Sequence, residues 1–224
     1  MKALIFDSGT IINLSMNGLL SILESLKKSW SGKFLITQAV KKEIIDRPKE
    51  ILRFELGALM IERLLQDNVL ELPSALSIDD NNIKEKTGML MDQANHTLQY
   101  QDQWIPLVSE AEMSCLALSD ELKKKGWETM IAIDERTTRL LGESPDQLEQ
   151  LMSAKLHKRI VLSPKSFGKF TKYNFIRSSE LVYVAYKKGL IPIEGKKVLE
   201  ALLYATKFKG AAISFEEINS LKKM

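Results

Sequence analysis

The amino-acid sequence predicts an α/β fold in three layers, α/β/α, with a central parallel sheet. Three short, continuous apolar runs, at 3–6, 34–36 and 130–133, are typical of strands that are buried on both faces. Segments with helical apolar spacing lie between these runs, and strands that alternate with helices indicate a parallel sheet. A chain of 224 residues, 45% of them hydrophobic, can bury a core without disulfides.

The predicted elements follow in a regular order. The first strand leads into a helical pattern over 11–28, and the run at 34–36 leads into a helix that Thr37 caps. Pro48 disfavours helical backbone at Arg47 and predicts a break or kink there. Further helical patterns cover 54–65, part of 77–103, 109–125, 137–141, 180–188 and 196–209, and further strands are predicted at 69–72 and 160–162.

Charge and composition divide the chain into two regions. Residues 1–150, predicted as the α/β domain with a helical insertion at about 47–105, carry 17 Lys and Arg against 24 Asp and Glu. Residues 151–224, predicted as an α/β extension packed on the same domain, carry 15 against 5. The net charges are therefore −7 and +10. A basic region beside an acidic one favours a polyanion partner, and a solvated basic surface is the alternative.

Several classes of protein are excluded by composition. A single cysteine, Cys115, excludes an internal disulfide framework and a zinc site built from cysteines. No apolar stretch approaches the roughly 20 residues that span a bilayer. Asp7 lies where a signal peptide would be apolar. We therefore expect a cytoplasmic protein that does not enter a membrane.

Acidic residues follow two of the predicted strands. Asp7 and Asp134 each end an apolar run, and parallel strands place their carboxyl ends at one edge of the sheet, where ligands bind. Glu43 lies one or two turns into the helix after Ile36, within reach of that edge. Carboxylates that meet repel one another unless a cation neutralises them, and oxygen ligands without His or Cys fit Mg²⁺ or Mn²⁺. For each acid alone, a helix cap or a solvated face is the alternative.

A fourth acid comes from the helix that opens at Ser109. Ser109 and Glu112 have the spacing of a capping box. Glu110 and Glu112 are two residues apart, so a regular helix directs only one of them into a shared pocket.

The segments around these acids resemble the PIN-domain ribonucleases. The resemblance covers about residues 1–145, apart from the insertion at 47–105. It depends on four segments in the family's order, at 4–10, 36–44, 109–118 and 131–140. The third is similar to a Gly-Glu-Ala-Glu variant in which Ser109 replaces the usual Gly. Glu110 aligns with the family's acid when one counts back from Ala117, and we therefore expect Glu110 to take the site.

This resemblance implies a PIN-like fold and a metal-dependent endoribonuclease that hydrolyses RNA phosphodiester bonds. The implied catalytic residues are Asp7, Glu43, Glu110 and Asp134, of which Asp7, Glu110 and Asp134 bind Mg²⁺ or Mn²⁺. Ser8 and Glu112 are implied to support the metal ligands through hydrogen bonds.

The basic region supplies candidates for contact with RNA phosphates. They are Lys158, Arg159, Lys169, Lys172 and Arg177. These cations alternate with Phe167, Phe170, Tyr173 and Phe175, which either stack on bases or belong to the core.

Three functions stay open at this point. The first is a nuclease, either the toxin of a toxin–antitoxin pair, with an antitoxin as partner, or an RNA-processing enzyme. The second is a PIN-like module that binds RNA or a ribosomal partner without cleaving. The third is a phosphatase with an Asp nucleophile, which Gly9 disfavours because such enzymes usually have a second Asp at that position. The family's tendency to dimerise makes the apolar stretch at 54–65 a candidate homodimer contact.

Overall fold

The computed structural model describes residues 1–163 and 170–223, and about 60% of the chain is helical. The strands are β1 (Lys2–Phe6), β2 (Lys33–Leu35), β3 (Leu98–Tyr100), β4 (Gln103–Trp104), β5 (Glu128–Ala132), β6 (Val161–Leu162) and β7 (Phe175–Ile176). The α-helices are α1 (Ser8–Met16), α2 (Ser21–Ser29), α3 (Gln38–Lys41), α4 (Arg47–Lys49), α5 (Leu52–Gln66), α6 (Asp80–Asn95), α7 (Glu110–Lys124), α8 (Arg136–Glu143), α9 (Pro145–Leu156), α10 (Ser178–Lys187), α11 (Val198–Phe208) and α12 (Phe215–Lys223).

A four-stranded parallel sheet forms the centre of the protein, in the order β2-β1-β5-β7. The predicted α/β class and parallel sheet are therefore confirmed. The central strand β1 pairs with β5 along its whole length, and Ile5 and Phe6 are fully buried. The strand expected at 69–72 is reduced to one parallel bridge, between Glu71 and Leu35 of β2.

The basic C-terminal region contributes to this sheet. Its strand β7, which the sequence pattern does not reveal, pairs with β5. Phe170 and Tyr173 are buried, which settles their role in favour of the core, whereas Phe167 lies outside the described residues. The strand expected at 160–162 forms as β6, but it belongs to a separate antiparallel sheet of order β4-β3-β6.

The helix after β2 contains a distortion that positions a candidate acid. Helical backbone continues from α3 through a π turn at Lys42–Asp46 into α4, so no break occurs at Arg47. Pro48 lacks an N–H and crowds the carbonyl four residues earlier, which disturbs the regular ladder just before it. The predicted distortion therefore takes the form of a π turn, and Glu43 lies in it.

Two helices of the predicted insertion differ in their surroundings. α6 packs along α7 and buries Ile83 and Leu90. α5 buries one side but leaves large apolar side chains exposed, namely Leu52, Phe54, Leu56, Leu59 and Met60. A homodimer contact there stays a prediction. Within the part of the chain that the structure describes, no helix combines the length and apolar character needed to cross a bilayer.

Candidate active site

The topological switch point of the parallel sheet, where the chain connections begin to run in the opposite direction, lies between β1 and β5. From β1 the chain moves outward to β2 and the Glu71 bridge, and it then crosses to β5 and on to β7 at the other side. In open α/β sheets, ligands bind in the crevice outside the carboxyl ends of the strands at such a switch point. Asp7 follows β1 directly, and its N–H donates to the carbonyl of Ala132, the last residue of β5, at 2.9 Å. Asp134 follows two residues after Ala132.

A pocket of about 440 Å³ opens at this crevice. It is lined by Asp7, Ser8, Gly9, Ile12, Glu43, Ser109, Glu112, Asp134, Glu135, Lys209 and Gly210. Residues from five distant segments therefore meet, and they include Asp7, Glu43 and Asp134, which the sequence predicts to converge. We call this cavity the acidic pocket.

Glu112, and not Glu110, enters the acidic pocket. Glu110 is exposed and lies outside the pocket lining, so the expectation that it takes this position is wrong. The reason is the capping box of α7, which forms as predicted: Ser109 Oγ accepts from the Glu112 N–H at 3.2 Å, and Glu112 Oε2 accepts from the Ser109 N–H at 3.4 Å. That exchange turns the Glu112 side chain back toward the strand ends, and Glu110 lies about 200° away around the helix.

Asp7 has two oxygens with different surroundings. Oδ2 accepts from the Gly9 N–H at 3.0 Å and thereby caps α1, which is the structural role that the sequence offers as the alternative to metal binding. Oδ1 is buried and has no hydrogen-bond partner among the described residues. Burial, reinforced by the charges of Glu112 and Glu43, raises the pKa of Asp7 to about 7. A buried carboxylate with one unpartnered oxygen is expected to bind a cation or a proton.

Asp134 is held by two donors from distant segments. Oδ1 accepts from the Ser178 N–H at the start of α10, at 2.8 Å, and Oδ2 accepts from Asn13 Nδ2 at 3.2 Å. Burial raises the pKa of Asp134 despite these hydrogen bonds. Asn13 is fully buried and also donates to the carbonyl of Thr206 at 2.8 Å. The sequence signal for Asn13 is a lone amide among the apolar positions of the first helix, and our sequence reasoning missed it.

Hydroxyl groups hold the carboxylates of Glu43 and Glu112. Ser8 Oγ donates to Glu43 Oε2 at 2.7 Å, which agrees with the expectation that Ser8 hydrogen-bonds a carboxylate of the site. Thr138 Oγ1 donates to Glu112 Oε2. Burial raises the pKa of Glu112, although this hydrogen bond lowers it. The sequence carries no distinctive signal for Thr138, because a threonine within a helical pattern has many ordinary roles.

The residues of the acidic pocket suit a hard divalent cation by type. The charged groups of the lining that could bind a cation are all carboxylates, and the unpartnered Oδ1 of Asp7 is free to act as a ligand. In the described ranges, no three acidic, His or Cys residues already surround one point in the manner of a formed metal site. Glu43, Glu112 and Asp134 are instead bound to protein donors. Metal binding would therefore require some of these side chains to move toward a common point, and the Oε1 atoms of Glu43 and Glu112 take no part in the bonds named here.

The predicted RNA-binding cations are dispersed. Lys172 is ion-paired with Asp120 at 2.8 Å, and Asp120 is eight residues along α7 from Glu112, about 12 Å along the helix axis. Lys158 lies over the ring of Tyr100, 4.4 Å from its centroid. Arg159 is exposed, and Lys169 lies outside the described residues. Arg177 immediately precedes Ser178, which binds Asp134, so it lies beside the acidic pocket.

Comparison with known proteins gives no match of this chain to a family model, a curated protein or a solved structure. A functional assignment therefore depends on the geometry and chemistry of the acidic pocket.

Proposed function

We propose that the protein is a metal-dependent endoribonuclease with a PIN-like three-layer fold. The observation that carries this proposal is the buried Asp7 carboxylate, which has an unpartnered oxygen at the switch point of the sheet and shares a pocket with four further acids. Such a group of carboxylates is unfavourable without a counter-charge, and Mg²⁺ or Mn²⁺ is the counter-charge that oxygen ligands prefer. The resemblance of the four acidic segments to PIN-domain ribonucleases supports RNA as substrate.

In this proposal, the residues of the acidic pocket have separate roles in phosphodiester hydrolysis. Asp7, Glu112 and Asp134 would hold the cation, and Glu43, positioned by Ser8, would bind it directly or through water. When bound, a divalent cation activates water as the nucleophile and offsets charge on the phosphate and leaving oxygen. Lys209 at the rim of the pocket provides a positive charge for the same phosphate. An RNA substrate also agrees with the cytoplasmic location that the sequence predicts, and both toxin and RNA-processing roles remain within this proposal.

A PIN-like module that binds RNA or a ribosomal partner without cleaving it is the second candidate. The observation that favours it is the state of the acids, since each carboxylate of the pocket accepts at least one hydrogen bond from the protein and no metal site is already formed in the described residues.

One assay separates the two candidates. Labelled single-stranded and hairpin RNAs are incubated with the protein in Mn²⁺, in Mg²⁺ or in a chelator, and the products are resolved by length. The nuclease proposal expects internal cleavage that needs the metal and is abolished by Asp7→Asn, a nearly isosteric change that removes the buried charge. An intact RNA population in every metal would favour the binding module. Unchanged cleavage by Asp7→Asn would overturn the assignment of the acidic pocket.

A further inference from the structure

A second cavity, of about 770 Å³, adjoins the acidic pocket. We call it the arginine pocket, defined by Arg136, Arg139, Arg177 and Lys207. The two cavities share three stretches of chain. In the first stretch, Asp134 and Glu135 line the acidic pocket and the next residue, Arg136, lines the arginine pocket. In the second, Arg177 lines the arginine pocket and the next residue, Ser178, donates to Asp134. In the third, Lys209 and Gly210 line the acidic pocket, and the flanking residues Phe208 and Ala211 line the arginine pocket. A chain molecule bound at the acidic pocket would therefore extend directly into the arginine pocket.

Arg139 is the half-buried arginine of this pocket that has no ion pair among the described residues, whereas Arg136, likewise unpaired there, is exposed. The Nε atom of Arg139 is buried with no hydrogen-bond acceptor among the described residues. In those same residues, no carboxylate lies within 4.0 Å ion-pair distance of its guanidinium. Burial lowers the pKa of Arg139 and the neighbouring Arg177 adds to this effect, although the charges of Glu143, Glu180 and Glu217 oppose it. Since a guanidinium stays charged at any physiological pH, a buried and unpaired one is expected to bind an anion.

The Nε atom of Arg177 is likewise buried without an acceptor among the described residues, but the charge of Arg177 is already neutralised by carboxylates. Its Nη1 donates to Glu217 Oε1 at 2.7 Å and to the carbonyl of Ala212 at 2.9 Å, and its Nη2 donates to Glu180 Oε1 at 2.7 Å. Two of the four carboxylates that line the pocket are therefore occupied by Arg177. The other two, Glu143 and Glu216, form no ion pair in the described residues and lie on the lining with Arg136, Arg139 and Lys207.

Exposed aromatic rings accompany these cations. Phe208 is 72% exposed although it lies in the pocket lining, and Phe215 is 46% exposed. Lys207 Nζ lies over the Phe215 ring, 4.4 Å from its centroid. A planar guanidinium binds phosphate oxygens in a bidentate manner, and an exposed ring stacks on a base. A guanidinium beside exposed aromatic rings fits a nucleotide better than a free phosphate, because a free phosphate has no base to stack on the rings.

We infer that the arginine pocket binds one nucleotide of a single-stranded RNA, with a backbone phosphate on Arg139 and the base on Phe208. The nucleotide is the one next to the phosphodiester that lies in the acidic pocket, so this inference rests on the proposed function. Arg139 then sets the register of the strand relative to the acids, and the sequence-predicted Arg177 acts as a positioning residue that shapes the pocket.

Binding in a chelator tests this inference without any need for cleavage. Fluorescence anisotropy measures the affinity of a labelled single-stranded oligoribonucleotide for wild type, Arg139→Gln, Phe208→Ala and a matched control, Arg53→Gln, at an exposed arginine of α5. We expect Arg139→Gln to weaken binding about tenfold and to lower the salt slope by about one. We expect Phe208→Ala to weaken binding of the oligoribonucleotide but not of inorganic polyphosphate, which competes through phosphate alone.

Several outcomes would overturn it. If Arg139→Gln binds RNA within twofold of Arg53→Gln, then Arg139 is not a phosphate ligand. If polyphosphate and RNA respond identically to Phe208→Ala, the site takes free phosphate and not a nucleotide. Should Arg139→Gln fail to fold, as judged by circular dichroism, Phe208→Ala decides alone, because its exposed ring contributes little to the core.

Failure of this inference and failure of the proposed function give different results. Metal-dependent cleavage that is unchanged by Arg139→Gln leaves the nuclease proposal intact and rejects the arginine pocket. Weaker binding by Arg139→Gln, in a protein that cleaves no RNA in Mn²⁺, supports the nucleotide site and rejects the nuclease.

Discussion

Ser8 Oγ donates a hydrogen bond of 2.7 Å to Oε2 of Glu43, a residue 35 positions later in the chain. Ser8 is the first residue of α1 and follows Asp7 directly, and Glu43 lies in the π turn before Pro48. This bond therefore joins the end of the central strand to a distorted helix turn of a kind that is frequent at functional sites. It also holds the Glu43 carboxylate beside Asp7, whose pKa the Glu43 charge helps to raise.

Removal of this hydroxyl by Ser8→Ala is expected to weaken Mn²⁺ binding by about 10-fold to 100-fold, because Glu43 loses the donor that orients it. The free energy of unfolding without metal should fall by only about 1 kcal/mol, the usual value of one hydrogen bond. Thermal unfolding at a series of Mn²⁺ concentrations measures both quantities. Ser29→Ala is the control, since Ser29 Oγ donates to the Leu26 carbonyl away from the acidic pocket. Equal metal affinities for the two variants would contradict the prediction.

The two glutamates that open α7 provide a matched pair of variants. Glu112→Gln should reduce metal-dependent RNA cleavage by at least about 100-fold, because it removes a ligand charge from the pocket. Glu110→Gln should leave the cleavage rate within about twofold, because Glu110 is exposed outside the pocket lining. The test compares the initial rates of RNA cleavage by the two variants and by wild type at saturating Mn²⁺. The opposite ranking would restore the assignment that the sequence resemblance favours.

Glu110 and Glu112 also show which parts of the site can be predicted from the sequence alone. The strand ends at Asp7 and Asp134 are predictable because a short apolar run followed by an acid specifies both the strand and the edge at which it stops. The choice between Glu110 and Glu112 is not predictable from the resemblance, because it depends on how the capping box and the packing of α7 rotate the helix. Partners from distant segments, such as Asn13, depend on tertiary structure that no local pattern contains.

The C-terminal region shows the same limit for the fold. Its positive charge and its aromatic residues are visible in the sequence, but a strand of two residues such as β7 produces no periodic signal. From the sequence alone, Phe170 and Tyr173 are equally compatible with base stacking and with the core. In the structure, β7 pairs with β5, and both side chains are buried.

Asn13 links the acidic pocket to the C-terminal helices, and its truncation should affect both. Asn13→Ala leaves Asp134 Oδ2 and the Thr206 carbonyl without their shared donor. We expect a loss of about 1 to 3 kcal/mol in the free energy of unfolding, the cost of leaving the buried Asp134 Oδ2 without a donor, because the Thr206 carbonyl still accepts from the N–H groups of Lys209 and Ala211. The pKa of Asp134 should rise further, because a hydrogen bond that lowers it is lost. Urea unfolding and pH-dependent Mn²⁺ binding test the two effects. Asn17→Ala, which removes a neighbouring but only partly buried donor, should cost less.

The stability of the metal-free protein should fall as the pH rises from 4 to 7, because of Asp7. Its pKa is about 7 in the folded protein, against 3.8 for the ordinary side chain, so the folded state keeps a proton that the unfolded state releases. The contribution to stability is complete below pH 4 and is lost as the pH passes through 7; three pKa units correspond to at most about 4 kcal/mol. Burial acts in the same direction on Glu112 and Asp134.

Urea unfolding at pH 5 and pH 8, with a chelator present, measures this loss in wild type and in Asp7→Asn. The variant carries no ionisable group at this position, so its stability should depend less on pH by a few kcal/mol. At pH 8, Mn²⁺ should restore much of the stability of the wild type, because the cation replaces the proton on the same buried carboxylate, and it should have little effect on Asp7→Asn. An identical pH dependence in the two proteins would show that the Asp7 carboxylate is already solvated or paired, and the case for a cation at this strand end would then fail.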